Sequence, residues 1–245
     1  MGGRTGPRLA LALALIAAAT ATATAGANSP GSTDELRLTT RKPGASTGVF
    51  ATEIFNARYK NGQLKPLRRS LIGFPKGTRF DALGWYTCRA TDAELKSEGM
   101  SACPEKSKIG HGHAETESSG APFQVGPVGA DVTVYGTPTG SLLVFSQGDA
   151  YLSHSRVIAD GRFQRTRPPA NCVVVTDTPP CENGEFVARS LTVDIPAHQR
   201  RVKGRLHRLI TTPRHCTRSG RWWFFDKHTF ADGSFDKFVN RPRCE

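Results

Sequence analysis

Two histidines with strand-like spacing are the first residues whose type and spacing suggest chemistry. His111 and His113 flank Gly112, and residues two positions apart on a strand project from the same face. Two imidazoles on one face, followed at the same parity by Glu115, would suit a zinc site with an open fourth position. The adjacent glycine is more typical of a turn, however, and exposed histidines need no ligand. We therefore treat His111 and His113 as weak candidates and expect no metal and no other cofactor.

Hydrolytic chemistry would need a nucleophile with its base, or two close carboxylates. Ser153 and Ser155 adjoin His154, but neighbours on a strand point to opposite faces, so adjacency does not make a catalytic pair. The acidic residues considered as acid/base partners are scattered at strand ends and turns: Asp131, Asp149, Glu182, Glu185 and Asp194. None of them forms a pair of the kind that glycosidases use. We expect no catalytic residues.

A basic stretch without any acidic residue lies between Asp194 and Asp226, in a chain whose formal net charge is +12. If the segment is extended, Arg201, Lys203 and Arg205 share one face and would attract an anionic partner through their charge. The predicted anion-binding residues are Arg200, Arg201, Lys203, Arg205 and Arg208. A solvated basic face without a ligand is the alternative.

Four consecutive aromatic residues run from Trp222 to Phe225. On a strand, two of these side chains must face each side. One pair is expected to fill the core, while the other is either covered by a neighbouring loop or exposed. An exposed Trp222 or Trp223 would offer a stacking surface to sugar rings, as exposed apolar patches often mark binding sites.

Six cysteines predict a disulfide framework. Six cysteines allow 15 connectivities, and no C-x₂-C spacing of the zinc type occurs among them. Sequential pairing is expected, because each pair then brackets a stretch rich in turn residues. The predicted pairs are Cys88 with Cys103, Cys172 with Cys181, and Cys216 with Cys244.

The N-terminus has the composition of an export signal. Arg4 and Arg8 precede an uninterrupted apolar run, Leu9–Ala19, and small residues follow as far as Ala27. The run is too short for a membrane-spanning helix, so residues 1–27 are predicted to be a cleaved signal peptide. We expect a secreted protein in an oxidising environment, without a membrane span.

The remainder is predicted to be a flexible N-terminal segment, residues 28–46, followed by one domain, residues 47–245. Two packed halves within that domain are the alternative. Asn61-Gly62 between the extended runs Phe50–Tyr59 and Gln63–Phe74 predicts a hairpin. Further strands are predicted at Ser107–Glu115, Asp131–Tyr135, Ser141–Phe145, Tyr151–Ile158, Asn171–Thr176, Glu185–Ile195, Arg205–Thr212, Arg221–Thr229 and Phe235–Asn240.

Only one segment has helix-forming composition. It is Asp92–Glu98, inside the predicted Cys88–Cys103 loop, with Thr91 or Asp92 as a cap. The fold class expected is all-β, an antiparallel β-sandwich of Greek-key or jelly-roll type with this one short helix in a disulfide loop.

Short motifs also give the chain a resemblance to a group of known proteins. The motifs are Phe74-Pro75-Lys76-Gly77, Cys88, Cys103-Pro104, Ser107-Lys108-Ile109-Gly110, Thr212-Pro213, Cys216, Trp222 to Phe225, Asp232-Gly233 and Cys244. Their order resembles that of secreted, disulfide-containing β-domain proteins of high-GC actinobacteria. The resemblance implies an extracellular β domain and no particular catalytic activity.

These observations together predict an exported, non-catalytic β-sandwich protein with a structural or binding role outside the cell. An anionic cell-wall polymer or a glycan is the expected partner, and association with the cell wall would follow from the positive charge. Nucleic acid is not expected as a partner. The alternative is a carbohydrate-binding or carbohydrate-active jelly-roll protein, which an exposed Trp222 or Trp223 would favour.

Overall fold

The computed structural model describes residues 28–81, 85–119, 128–159, 170–176 and 185–245. The predicted signal peptide lies outside these residues and stays a prediction. Fifteen strands occur in the described part: β1 Thr33–Leu38, β2 Val49–Ile54, β3 Leu67–Pro75, β4 Arg79–Phe80, β5 Lys108–Ser119, β6 Val128–Thr137, β7 Gly140–Gln147, β8 Ala150–Ala159, β9 Ala170–Thr176, β10 Glu185–Ile195, β11 Gln199–Val202, β12 Arg205–Arg208, β13 Ile210–Thr211, β14 Phe224–Phe230 and β15 Phe235–Asn240. The helix α1 spans Asp92–Glu98, and short 3-10 turns follow at Gly99–Ala102 and Glu105–Ser107.

Eleven of the described strands form one antiparallel sheet. Its order is β1-β2-β10-β5-β6-β7-β8-β9-β3-β14-β15, and β11-β12 and β13-β4 form two small separate pairs. This architecture confirms the predicted all-β class and is consistent with a β-sandwich. The predicted helix is confirmed as well, since α1 lies between Cys88 and Cys103.

The two edge strands of this sheet, β1 and β15, lie beside each other because a long twisted sheet curls on itself. Asn240 Nδ2 on β15 donates a hydrogen bond to Asp34 Oδ2 on β1, at 3.3 Å. The Asn28 side chain likewise donates to the Lys237 carbonyl, at 2.8 Å. The curl therefore encloses one face of the sheet and brings residues from the two ends of the chain together.

The enclosed face carries the main core. Strand alternation places every second residue there, as in Leu36 and Leu38 on β1 and in Val49 and Ala51 on β2. Buried side chains from several strands pack together in this core, including Phe74, Ile109, Val132, Val134, Leu143, Val193, Trp222 and Phe224. β1, within the segment predicted to be flexible, is thus one wall of the core.

A second, smaller core lies under the disulfide loop. Thr91 Oγ1 accepts a hydrogen bond from the Glu94 backbone N–H, and Glu94 Oε2 accepts one from the Thr91 N–H, at 3.3 and 2.7 Å. This capping box starts α1. Leu95 is then turned inward, with 0 % of its surface exposed, among Tyr135, Leu142 and other buried residues.

Two of the three predicted disulfides are present, joining Cys88 to Cys103 and Cys216 to Cys244. Cys181 lies outside the described residues, so the pair Cys172–Cys181 stays a prediction. In the part of the chain that is described, no helix has the length and apolar character needed to cross a bilayer. The two disulfides are consistent with an extracellular protein.

The strand pairing predicted around Asn61-Gly62 is wrong. The turn itself forms, with Gly62 at φ 85° and a short bridge between Arg58 and Leu64. However, β2 pairs with β1 and β10, whereas β3 pairs with β9 and β14. The strands separate after the bridge because the Phe55 backbone N–H, which would continue the ladder, donates to the Arg189 carbonyl instead.

Candidate functional site

The predicted basic stretch folds into a hairpin. Lys203 and Gly204 have φ values of 50° and 77°, as in the two-residue turns that reverse a strand. β11 then pairs back on β12, with Arg201 opposite Leu206 and Val202 opposite Arg205. The expectation that Arg201, Lys203 and Arg205 share one face of a continuous strand is therefore wrong. Paired residues share a face, so Arg201 and Arg205 lie on opposite faces and Lys203 at the tip.

Two of the five predicted anion-binding residues are engaged by the body of the protein. The Arg200 guanidinium lies 4.7 Å from the ring centre of Tyr86. Arg208 Nη1 donates to the Gly44 carbonyl, at 3.1 Å. Arg201, Lys203 and Arg205 are exposed instead, and Arg201 donates within the turn to the Gly204 carbonyl. The free charge is thus concentrated at the tip of the hairpin.

The base of this hairpin is held in a fixed position. His207 Nδ1 lies 2.9 Å from Asp81 Oδ2, and the Leu209 backbone N–H donates to the His198 carbonyl. The ion pairs found among the described residues involve none of the five predicted cations on the hairpin. Its positive charge is therefore presented to solvent without neutralisation.

An exposed tyrosine stands beside these cations. Tyr86 has 49 % of its surface exposed, and its ring lies 5.5 Å from Lys106 Nζ as well as 4.7 Å from the Arg200 guanidinium. The part of this ring that the two cations leave exposed can contact a sugar, while the cations face the acidic substituents of that sugar. Sequence reasoning did not single out Tyr86, since nothing in its local pattern indicates which cations fold beside it.

The possible stacking surface at the tryptophans is not found. Trp222 is only 2 % exposed and belongs to the main core, so the alternative of an exposed ring does not hold for this residue. Trp223 is half-buried, and the Arg241 guanidinium covers its ring at 3.7 Å from the centre. The reason is packing. The Trp222 backbone N–H donates to the Pro242 carbonyl beside the Cys216–Cys244 bridge, and the Trp222 side chain fills the main core.

The weak metal candidates lie on the outer face of β5. His111 and His113 are both exposed, and His113 Nδ1 is 3.9 Å from Asp131 Oδ1 in the neighbouring strand. Within the described ranges, neither histidine belongs to a group of three or more side chains that converge as metal ligands would. They form a solvated surface pair with Asp131.

The histidine of the Ser153-His154-Ser155 run has a structural environment. His154 is buried, with Nε2 at 3.1 Å from Asp92 Oδ1 and Nδ1 at 2.6 Å from the Tyr151 hydroxyl. These contacts fasten the first turn of α1 to β8. The imidazole is therefore committed to joining the disulfide loop to the sheet.

A buried polar cluster that the sequence did not reveal lies between the two ends of the sheet. We name it the carboxylate cluster: Asp34 on β1, Glu53 on β2, and Asp226 and His228 on β14. Glu53, Asp226 and His228 are 4 %, 1 % and 2 % exposed. One donor atom from each of the four residues lies within 4.8 Å of every other.

Strand alternation explains why these side chains point inward. Asp34 precedes Leu36 at the same parity, Glu53 follows Ala51, and Asp226 follows Phe224. The cluster is thus a polar layer stacked on the apolar core. An acidic residue at the inward parity of a strand is the signal that could have located it, but only the strand order shows that these strands meet.

Burial governs the protonation of the carboxylate cluster. Burial, with a smaller contribution from the charge of Asp34, raises the pKa of Glu53 to about 8. Burial also raises the pKa of Asp34 to about 7 and raises that of Asp226 well above its ordinary value. Burial lowers the pKa of His228 to about 4. Since desolvation disfavours every charged form, full ionisation here requires an opposite charge.

Comparison with known proteins found no similarity: no family model, no curated protein and no solved structure matches this chain. A functional proposal therefore depends on the residues and their geometry alone. Among the residues that the structure describes, the hairpin with Tyr86 and the carboxylate cluster are the two arrangements that carry chemistry.

Proposed function

We propose that this is an exported, non-catalytic extracellular protein that binds an acidic glycan or a related anionic cell-wall polymer. Binding takes place at the hairpin surface, which consists of Tyr86, Lys106, Arg200, Arg201, Lys203 and Arg205. The observation that carries the proposal is the exposed tyrosine ring held between two cations, beside a hairpin whose charge is not neutralised.

The charges at the hairpin tip favour a polymer over a small anion. Each exposed cation contributes only about 0.5–1 kcal/mol to an ion pair in water, so a single anionic group would bind weakly. A polymer with repeated anionic groups passes around the tip of the hairpin and so contacts Lys203 there and Arg201 and Arg205 on its two faces, and its local concentration at the second and third contacts is high. The expected interaction is strongly dependent on salt.

Tyr86 favours a polymer with rings or hydrocarbon in its backbone. A half-exposed aromatic face loses contact with water when a sugar ring stacks on it. The flanking Arg200 and Lys106 then lie where carboxylate, sulfate or phosphate groups of that sugar would project. Aromatic stacking with adjacent cations suits an acidic polysaccharide better than a neutral one.

Secretion is supported by the chain itself. The apolar run Leu9–Ala19 predicts export, and two disulfides brace the folded domain. An anionic cell wall would retain a strongly basic protein without a covalent anchor. The resemblance to secreted actinobacterial β-domain proteins fits the same location.

The test is binding of the mature protein to immobilised polymers at low and moderate salt. Polygalacturonate, teichoic acid and neutral dextran present carboxylates, phosphates and no charge, respectively. The hairpin variant carries Arg201→Gln, Lys203→Gln and Arg205→Gln. We expect the hairpin variant to bind the anionic polymers at least tenfold more weakly than the wild type, because three contacts of about 0.5–1 kcal/mol are lost. Tyr86→Ala should weaken this binding as well.

A matched control keeps the same net charge as the hairpin variant. It removes three exposed cations on another part of the surface: Arg68→Gln, Arg69→Gln and Lys76→Gln. The control should bind within about twofold of the wild type. Equal weakening by both triple variants would show that only net charge matters, and equal binding of dextran and polygalacturonate would refute the role of acidic groups.

A further inference from the structure

The carboxylate cluster has the dimensions of a metal coordination sphere. Its four donor atoms come from three strands at opposite ends of the sheet, and all lie within 4.8 Å of one another. Ligands bound to one ion at about 2.0–2.4 Å are at most about 4–4.8 Å apart, twice the bond length. His228 Nε2 and Asp226 Oδ2 are 3.6 Å apart, too far for a hydrogen bond but suitable for two ligands of one ion.

Donor atoms of three of the four residues lack a hydrogen-bond partner among the described residues. Both ring nitrogens of His228, Asp226 Oδ2 and Asp34 Oδ1 are buried without a hydrogen bond. Buried polar atoms in folded proteins are nearly always paired, so a group of orphaned atoms in one place indicates a missing partner. His228 is 2 % exposed, which leaves no access to bulk water.

Other side chains hold the free donor atoms in position. Ser70 Oγ donates to Asp226 Oδ1, at 3.1 Å, and so leaves Oδ2 free. Asn240 Nδ2 donates to Asp34 Oδ2 and so leaves Oδ1 free. The rings of Phe55 and Phe238 pack edge-on against His228. Outer hydrogen bonds such as those to Asp226 and Asp34 are typical of metal sites.

Shared protons alone do not account for the arrangement. Glu53 and Asp226 can share a proton as neighbouring acids do, and this would reduce their repulsion. It would leave the lone pair of a neutral His228 unpaired, whereas a bound cation would leave only the N–H of the other ring nitrogen without a partner. A cation accepts the imidazole lone pair and the free carboxylate oxygens together, and it offsets the negative charge of the three acids.

We propose that Asp34, Glu53, Asp226 and His228 bind one divalent transition metal ion, Zn²⁺ or Mn²⁺. The imidazole nitrogen favours these ions over Ca²⁺ and Mg²⁺, which prefer oxygen ligands alone. The ion ties β1 and β2, at one end of the sheet, to β14 near the other end. Its role is structural, and it is independent of the hairpin surface.

The experiment uses the mature protein after removal of metal with a chelator and dialysis. Calorimetric titration with Zn²⁺, Mn²⁺, Ca²⁺ and Mg²⁺ measures affinity and stoichiometry, and thermal unfolding measures the gain in stability. We expect one equivalent of Zn²⁺ or Mn²⁺ per chain, with a higher melting temperature, because the ion binds only the folded state. Failure of both ions to bind the folded protein, or preferential binding of Ca²⁺, would overturn the proposal.

Variants locate the site. The cluster variants are Asp226→Asn, which retains an oxygen that can accept the Ser70 hydrogen bond, and His228→Asn. Each should weaken binding of the ion at least tenfold. The control replaces the surface pair, His111→Asn and His113→Asn, and should bind the ion as the wild type does. Loss of binding in the control, with binding retained in the cluster variants, would place the ion on the outer face of β5 and refute the assignment.

Substitution with Co²⁺ provides a measurement that does not depend on variants that fold. The visible absorption spectrum of Co²⁺ bound to the wild type reports the number and type of its ligands. We expect absorption typical of one nitrogen and several oxygen ligands. One equivalent of Zn²⁺ should displace the Co²⁺ and abolish this absorption. A spectrum identical to that of Co²⁺ in water would contradict a buried site.

Discussion

Removal of the Cys216–Cys244 disulfide should lower the free energy of unfolding by an amount that depends on the length of the loop the disulfide closes. The bridge closes a loop of 28 residues, which contains both β14 and β15. In the chain-entropy treatment, a loop of this length restricts the unfolded chain by about 3.6 kcal/mol at 25 °C. The Cys88–Cys103 bridge spans 15 residues, for which the same treatment gives about 3.0 kcal/mol.

The native structure around the bridge has other supports. The Cys244 backbone N–H donates to the Gly220 carbonyl, and the Trp222 N–H donates to the Pro242 carbonyl. These bonds keep the two ends of the loop together after the sulfur atoms are removed. The expected loss therefore arises mainly in the unfolded state, whose freedom increases.

The assay is urea unfolding of the double variant Cys216→Ser, Cys244→Ser, followed by circular dichroism and tryptophan fluorescence. A loss of 3–4 kcal/mol corresponds to a midpoint lower by about 1–2 M urea. The variant Cys88→Ser, Cys103→Ser is the comparison and should lose slightly less. A loss below about 1 kcal/mol for the longer loop, with an unchanged slope, would refute the entropic reasoning.

Three further predictions concern the helix and one surface turn. Leu95→Ala should lower the unfolding free energy by about 2–5 kcal/mol, because it leaves a cavity under α1; a loss under 1 kcal/mol in urea unfolding would contradict this packing. Thr91→Ala should cost about 1 kcal/mol in the same assay, since the capping box with Glu94 is lost, and Thr91→Ser should restore most of it. A hydrogen bond from Lys65 and further ones from Ser234 lower the pKa of Asp232 to about 2. The stability that ionised Asp232 provides is therefore complete above about pH 4 and is lost as the pH falls towards 2. In Asp232→Asn, the unfolding free energy should depend less on pH between pH 5 and 2. A pH dependence equal to that of the wild type would contradict the ion pair.

Local sequence was sufficient for the positions of most strands and of the helix. Glu185–Ile195 is a strand with the predicted bounds, and Tyr151–Ile158 lies within β8. Thr91 was one of the two residues expected as a cap, the other being Asp92, and the structure shows that Thr91 caps α1 through a capping box with Glu94. These features depend on side-chain alternation and on contacts between residues a few positions apart, both of which are visible in the sequence.

Strand pairing was not predictable in the same way. Asn61-Gly62 is a strong turn signal, yet the strands on either side of it pair with distant partners. A turn fixes the chain direction over a few residues, but the partner of each strand depends on which faces of the whole sheet can be buried together. The basic hairpin shows the reverse case: Lys203-Gly204 reverses the chain between Arg201 and Arg205, whose common face was expected only if the segment were extended.

Local residue patterns are enough to predict short strands, a capped helix and disulfides between cysteines near one another in sequence. Which charged residues meet depends instead on how the whole sheet folds. Glu53 and Asp226 are 173 positions apart, and they adjoin because the sheet curls until its ends face each other. Tyr86 stands beside Arg200 for the same kind of reason. Alternation assigns a side chain to a face, but the curvature of the sheet determines what that face encloses.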